Sequence, residues 1–144
     1  MNITQHFTLE EFTTSDTATR LQIDNVPGVD VLKNLVHTAE GLEKVRAFLG
    51  YPLKITSGYR SLELNRHVGS KDNSQHVKGE AADFMCPQFG SPKQIVSALV
   101  KSDLVFDQLI QEFAPQGWVH ISFSDTPRQL ALIIDHEGVR NWTA

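Results

Sequence analysis

The longest regular pattern of apolar positions runs from residue 29 to 49. Leu32, Leu35, Val36, Ala39, Leu42, Val45 and Leu49 recur at helical spacing and mark one buried face. Gly50 follows where a helix stop is expected. Upstream, Thr8-Leu9-Glu10-Glu11-Phe12 carries a capping box, with Thr8 as N-cap and Glu11 as its partner. Ser15-Asp16-Thr17-Ala18 can open a further turn, and Asn25-Val26-Pro27-Gly28 has turn chemistry. These pieces predict an N-terminal helical wrap ahead of one long helix.

After Gly50 the period shortens to two. Tyr51 to Thr56 alternates, with Leu53 and Ile55 on one face and Lys54 on the other, and reads as a strand. Ser57 to Ser61 turns the chain, Ser61 to Arg66 forms a short helix, and His67 to Asn73 is a polar loop. Glu80 to Met85 is a strand on which Ala81, Asp83 and Met85 share a face. Ser91-Pro92 opens a helix to about Lys101, striped by Ile95, Val96 and Leu99. Leu104 to Phe113 and Trp118 to Phe123 are apolar strands joined by a hairpin-like turn, Ala114-Pro115-Gln116-Gly117. Gln129 to Ile134 is the last strand. Helices early and strands late predict an α+β fold: a small, mostly antiparallel sheet with helices packed on one face and the N-terminal wrap beside it. With no internal repeat or linker, the 144 residues predict a single domain, 1–144.

Composition changes the picture only by exclusion. A net charge of −4 and the lack of any basic run argue against nucleic acid as a partner. Cys86 is the only cysteine, so neither an internal disulfide nor a multi-cysteine zinc site is possible. Beside Pro87 it reads as a small buried residue rather than a nucleophile. No apolar run approaches the ~20 residues of a membrane span. The N-terminal residues show no basic region followed by an apolar one, so synthesis in the cytoplasm without a signal peptide is expected.

The chemistry concentrates in Ser74-Gln75-His76-Val77-Lys78-Gly79-Glu80-Ala81-Ala82-Asp83. On one helix His76 and Asp83 would lie two turns apart. They meet if His76 sits in a loop, Gly79 turns the chain, and Asp83 stands on the strand that follows. A second histidine, His120, lies in the apolar run Trp118-Val119-His120-Ile121-Ser122-Phe123. There Trp118, His120 and Ser122 face a cleft, and Val119, Ile121 and Phe123 face the core. A carboxylate in an apolar strand needs a partner, which a metal or an arginine can supply. Two imidazoles and one carboxylate suit zinc with a fourth place left open. His/Asp sets also accept cobalt, manganese or nickel.

Three ordered motifs carry a resemblance. Ser74 to Asp83 matches S-x-H-x-x-G-x-A-x-D at every fixed position. Thr56-Ser57-Gly58-Tyr59-Arg60-Ser61, with Leu64-Asn65, looks like an upstream arginine segment, and Trp118-Val119-His120 like a closing W-x-H. Together they resemble the zinc D-alanyl-D-alanine carboxypeptidase family of metallopeptidases, in particular its compact phage-associated branch with L-alanyl-D-glutamate endolysins, from about Phe7 to Phe123. The resemblance implies a Hedgehog/DD-peptidase-like fold and Zn2+ bound by His76, Asp83 and His120. It implies that Arg60 binds a substrate carbonyl or carboxylate and offsets transition-state charge, and that Ser74 hydrogen-bonds substrate. Read from the residues alone, Arg60 can instead be a salt-bridge partner for Asp83 or a surface charge, and Ser74 a turn cap. The implied substrate is the peptidoglycan stem peptide, and the implied setting is cell-wall degradation after phage-mediated release.

In this family the acidic residue or histidine that moves the proton often stands three positions before the closing histidine. Here that position is Gly117, which can transfer no proton. Glu112, near the end of the preceding strand, is the candidate general base. Gln111 is its neighbour on the opposite face, and Asp107 and Gln108 are weaker alternatives. His37 on the long helix reads as a surface residue, and Asp135-His136-Glu137 as a polar loop. The alternative to an enzyme is a non-catalytic, zinc-bearing peptidoglycan-binding or phage structural domain, with the ligands kept and the base lost.

Overall fold

A computed structural model describes residues 1–144 of the chain. The long apolar stripe forms a helix because nothing interrupts its spacing. Two short helices precede it, α1 (Leu9–Thr13) and α2 (Asp16–Leu21), and the long one is α3 (Val29–Leu49). α1 carries the expected capping box between Thr8 and Glu11, and α3 stops at Gly50, whose φ of 83° is left-handed. Then follow β1 (Lys54–Ser57), α4 (Leu62–His67), α5 (Gln75–Lys78), β2 (Ala81–Met85) and α6 (Pro92–Val100). The chain ends with β3 (Gln108–Glu112), β4 (Trp118–Ser122), β5 (Leu130–Asp135) and β6 (Gly138–Asn141).

The fold is α+β. One six-stranded sheet has the order β1-β2-β4-β3-β5-β6. It is mostly antiparallel, as the pattern predicts, but β3 and β5 run parallel. β6 was not legible: all four of its residues are exposed, so no hydrophobic alternation announces it. Two strands are shorter than their apolar runs. β1 starts at Lys54 rather than Tyr51, since Pro52 has no N–H to give a ladder. β3 starts at Gln108 rather than Leu104, because the preceding segment is held by the Gln129 side chain, which accepts from the Phe106 amide and donates to the Leu104 carbonyl. It ends where Phe113 turns to a φ of 53°.

Alternation then divides the sheet. Ala82 and Phe84 of β2, Leu109 of β3, and Val119 and Ile121 of β4 join Leu35, Ala39, Leu42, Val45 and Leu49 of α3 and Ile95, Val96 and Leu99 of α6 in one buried cluster. Two residues of the α3 face escaped the hydrophobic pattern. Gly41 is covered by the Phe123 ring so closely that a Cβ would meet it at 2.5 Å. The buried Thr38 donates to the Gly79 carbonyl at 2.8 Å. Asn34 donates to the Lys78 carbonyl at 2.9 Å, so α3 also grips the corner between α5 and β2.

Asp107, considered above as a possible base, is instead a structural anchor. Its carboxylate accepts from the Arg128 guanidinium at 2.8 Å, from the Arg128 amide at 2.9 Å and from Gln75 at 2.8 Å. These bonds, chiefly those from the Arg128 side chain, hold its pKa down to about 2 from an ordinary 3.8. A carboxylate held below its unfolded pKa contributes stability above that value and loses it as pH falls through the folded one. Asp107→Asn is therefore expected to destabilise the fold by on the order of 1–2 kcal/mol near pH 7. In chemical denaturation, the gap between wild type and variant should close as pH falls from about 4 towards about 2.

Candidate metal centre and its cleft

His76 comes to the site on α5, a single helical turn rather than the expected loop. The Ser74 hydroxyl caps this turn, accepting from the His76 amide at 3.3 Å, and Gly79 ends it with a φ of 76°. A side chain other than hydrogen would be strained there. The His76 ring is buried, and its Nδ1 donates to the Gly58 carbonyl at 2.7 Å. That bond fixes the tautomer and leaves Nε2 as a free lone pair. Gly58 itself sits against the Phe12 backbone, which a Cβ would meet at 2.6 Å.

Asp83 and His120 are paired partners in the β2–β4 ladder, on the sheet face away from α3 and α6. The Asp83 carboxylate lies 2.9 Å from His120 Nδ1 and 3.4 Å from His76 Nε2. One ligand atom from each of the three residues falls within 4.8 Å of the others, and all three residues are buried. Burial alone would push the Asp83 carboxyl up, but the imidazoles of His76 and His120 hold it well below the usual range. Burial likewise pushes His76 down, favouring the neutral ring a metal requires. A carboxylate and two imidazoles, one oriented through its far nitrogen, fit a divalent transition ion such as zinc.

These residues open into a cleft of about 540 Å³, also lined by Arg60, Ser74, Gln108, Glu112 and Trp118. The Arg60 amide donates to the His76 carbonyl at 3.1 Å, which ties the arginine segment to α5. Asn25, read above only as part of a turn, fixes that segment from the other side. It donates to the Tyr59 carbonyl at 3.1 Å and accepts from the Ser61 amide at 2.7 Å. Arg60 makes no ion pair with Asp83; its nearest polar contact is Ser70 at 3.5 Å, and its Nε is buried without a partner. Burial lowers its pKa, opposed by the negative charges of Asp83 and Glu112.

Glu112 points into the same cleft from β3 and accepts from the Trp118 indole N–H at 2.6 Å. Burial, with the charge of Asp83, raises its carboxyl above the ordinary range. Gln108 lines this cleft as well, whereas Gln111 lies on the other face and accepts from Trp142 at 3.1 Å. The polar cluster at the end of β5 is occupied elsewhere: Asp135 pairs with Arg140 at 2.8 Å and the His136 ring packs on Phe113. Cys86 is buried and His37 is exposed. The positioning parts that the sequence hid, the Gly58 carbonyl above all, act through the main chain and leave no side-chain signature.

Gly117 stands directly over the backbone of Glu112. A Cβ there would lie 1.7 Å from the Glu112 carbonyl oxygen, so this hairpin has no room for an acidic side chain or a histidine at 117. Gly117 and Glu112 are thus bound together by the geometry of one turn.

Residues 5–122, most of the chain, match the protein family described as Peptidase M15. No curated protein matches the chain.

Two outcomes follow from this geometry. Zinc at a hundredfold excess over its dissociation constant should stabilise the fold by about 2.7 kcal/mol, read as a rise in Tm that a chelator reverses. His76→Ala or Asp83→Asn should abolish the rise. Gly117→Ala should cost about 3 kcal/mol or more, on the order of 10 °C in Tm, because the clash is with backbone that cannot swing aside.

Proposed function

The chain belongs to the peptidase M15 family, and on that premise we propose that it is a zinc metallopeptidase that hydrolyses a peptide bond in bacterial cell-wall peptidoglycan. The observation that carries this reading is convergence. His76, Asp83 and His120 gather on one face of the sheet, and Glu112 and Arg60 line the same cleft. We take residues 1–144 as one peptidase domain.

His76, Asp83 and His120 would hold the ion. When bound, it supplies Lewis acidity, polarising the scissile carbonyl and acidifying a water molecule. The chain's own groups do the rest. Glu112, its proton affinity raised by burial, takes the proton from the attacking water and passes it to the leaving amine. The Trp118 indole holds that carboxyl in place through one oxygen and leaves the other free. Arg60 lines the cleft and presents its guanidinium to the substrate's carbonyl or carboxylate oxygen. The Ser74 hydroxyl caps α5 and lines the cleft, so it can accept from the His76 amide and donate to substrate together.

The resemblance of the motifs to D-alanyl-D-alanine carboxypeptidases and L-alanyl-D-glutamate endolysins supports a substrate bond beside a D-amino acid. It also supports a phage or prophage lysis setting. Mass spectrometry of purified peptidoglycan, digested with the zinc-loaded chain, is the test. New amino and carboxyl termini in the stem peptide are expected. Binding without new termini would reject the hydrolase and assign a wall-binding or phage structural domain. Glu112→Gln keeps an acceptor for the Trp118 indole, so it should fold and bind zinc normally. Its kcat should fall by on the order of 10²–10⁴-fold. An undiminished kcat would remove Glu112 as the base while leaving the metal ligands in place.

A further inference from the structure

The cleft does not end at Arg60. Arg60 and Val68 also line a second cavity of about 690 Å³, walled on its far side by α1 and the start of α2. The two spaces meet the sheet differently. The metal cleft touches alternate residues, Gln108, Ile110 and Glu112 on β3 and Trp118 and His120 on β4, so it lies over the sheet's face. The second cavity touches the consecutive residues 54–58. Consecutive strand residues point to opposite faces, so a space that meets all of them runs along the strand's edge.

β1 is the outermost strand and pairs only with β2. Apart from that ladder, no backbone–backbone hydrogen bond involves residues 54–57. The main-chain groups facing away from β2 are therefore open to the cavity. β1 also leads to the metal: its last residue, Ser57, is the ladder partner of Asp83.

We propose that the open edge of β1 is a docking line for the substrate's peptide arm. An extended chain pairs with Lys54–Ser57 main chain to main chain and continues past Arg60 into the metal cleft. This rests on the peptidase reading and specifies where the uncut part of the substrate lies. Added-strand binding takes its affinity from backbone amides, so it suits a substrate whose side chains are small. Open edges ordinarily invite pairing with another sheet. Here Lys54, the register shift between Ile55 and Ser57, and the wall of α1 and α2 leave a slot for one chain. Four residues of strand span about 13 Å, so binding should strengthen with peptide length over roughly that many residues and then level off.

The test uses alternating L- and D-alanine peptides of graded length, three to eight residues, added to the 144-residue chain without metal so that turnover does not intrude. Amide hydrogen exchange is followed residue by residue. The octapeptide is expected to slow exchange at least tenfold at the amides of Lys54–Ser57 that face away from β2, and the tripeptide to leave them unchanged. N-methylation of single amides in the octapeptide should weaken binding tenfold or more where the methyl removes a donor to β1. Binding that is independent of length, or protection confined to the cleft face, overturns the docking line. Digestion of peptidoglycan by the zinc-loaded chain separates the two readings. Cleavage with an unprotected edge overturns the docking line alone. A protected edge without cleavage overturns the peptidase reading alone, and failure of both overturns both.

Discussion

A single carboxylate governs this architecture. Asp83 sits in an apolar strand in the middle of a sheet, and a charge there is tolerable only with partners on its open side. The two imidazoles meet that need, at 2.9 and 3.4 Å. Each imidazole is in turn placed by something it does not choose. His120 is fixed by strand register against Asp83, and His76 by a carbonyl bond to Gly58 and by the cap and stop of α5. Together the three residues form a buried donor set that could hold a cation.

Period-two alternation separates stability from reactivity within the same strands. Even positions of β2 join the core with α3 and α6, while Asp83 faces the cleft. Position 120 of β4 faces the cleft, and its neighbours Val119 and Ile121 are fully buried. Helices can therefore pack one face to crystal-like density without disturbing ligands held on the other. α3 joins the two sides through Thr38 and Asn34, which hold the carbonyls of Gly79 and Lys78 at the corner that carries His76.

The glycine at 117 in the β3–β4 turn has a local geometric cause. Residue 117 lies on the Glu112 backbone, where only hydrogen fits. The contact also brings Glu112 beside Trp118, its ladder partner and hydrogen-bond donor. In the proposed reaction the acid has moved to the opposite strand of the same hairpin and faces the same cleft.

Much of this was readable from residue order. Helix α3, the caps at Thr8 and Ser91, the strand faces of β2 and β4 and the α+β class follow from periodicity and capping, which are properties of neighbours along the chain. The grouping of His76, Asp83 and His120 was legible through the resemblance of the ordered motifs. What only the folded molecule decided depends on contacts between distant segments. These include the parallel pairing of β5 with β3, the all-exposed β6, and the placement of Asp107 on Arg128 rather than in the cleft. They also include the unpaired guanidinium of Arg60 and the carbonyl of Gly58 behind His76. A hydrogen bond to main chain depends on where the backbone passes, not on which side chain is written there, so the sequence names the ligands while the tertiary fold sets their orientation.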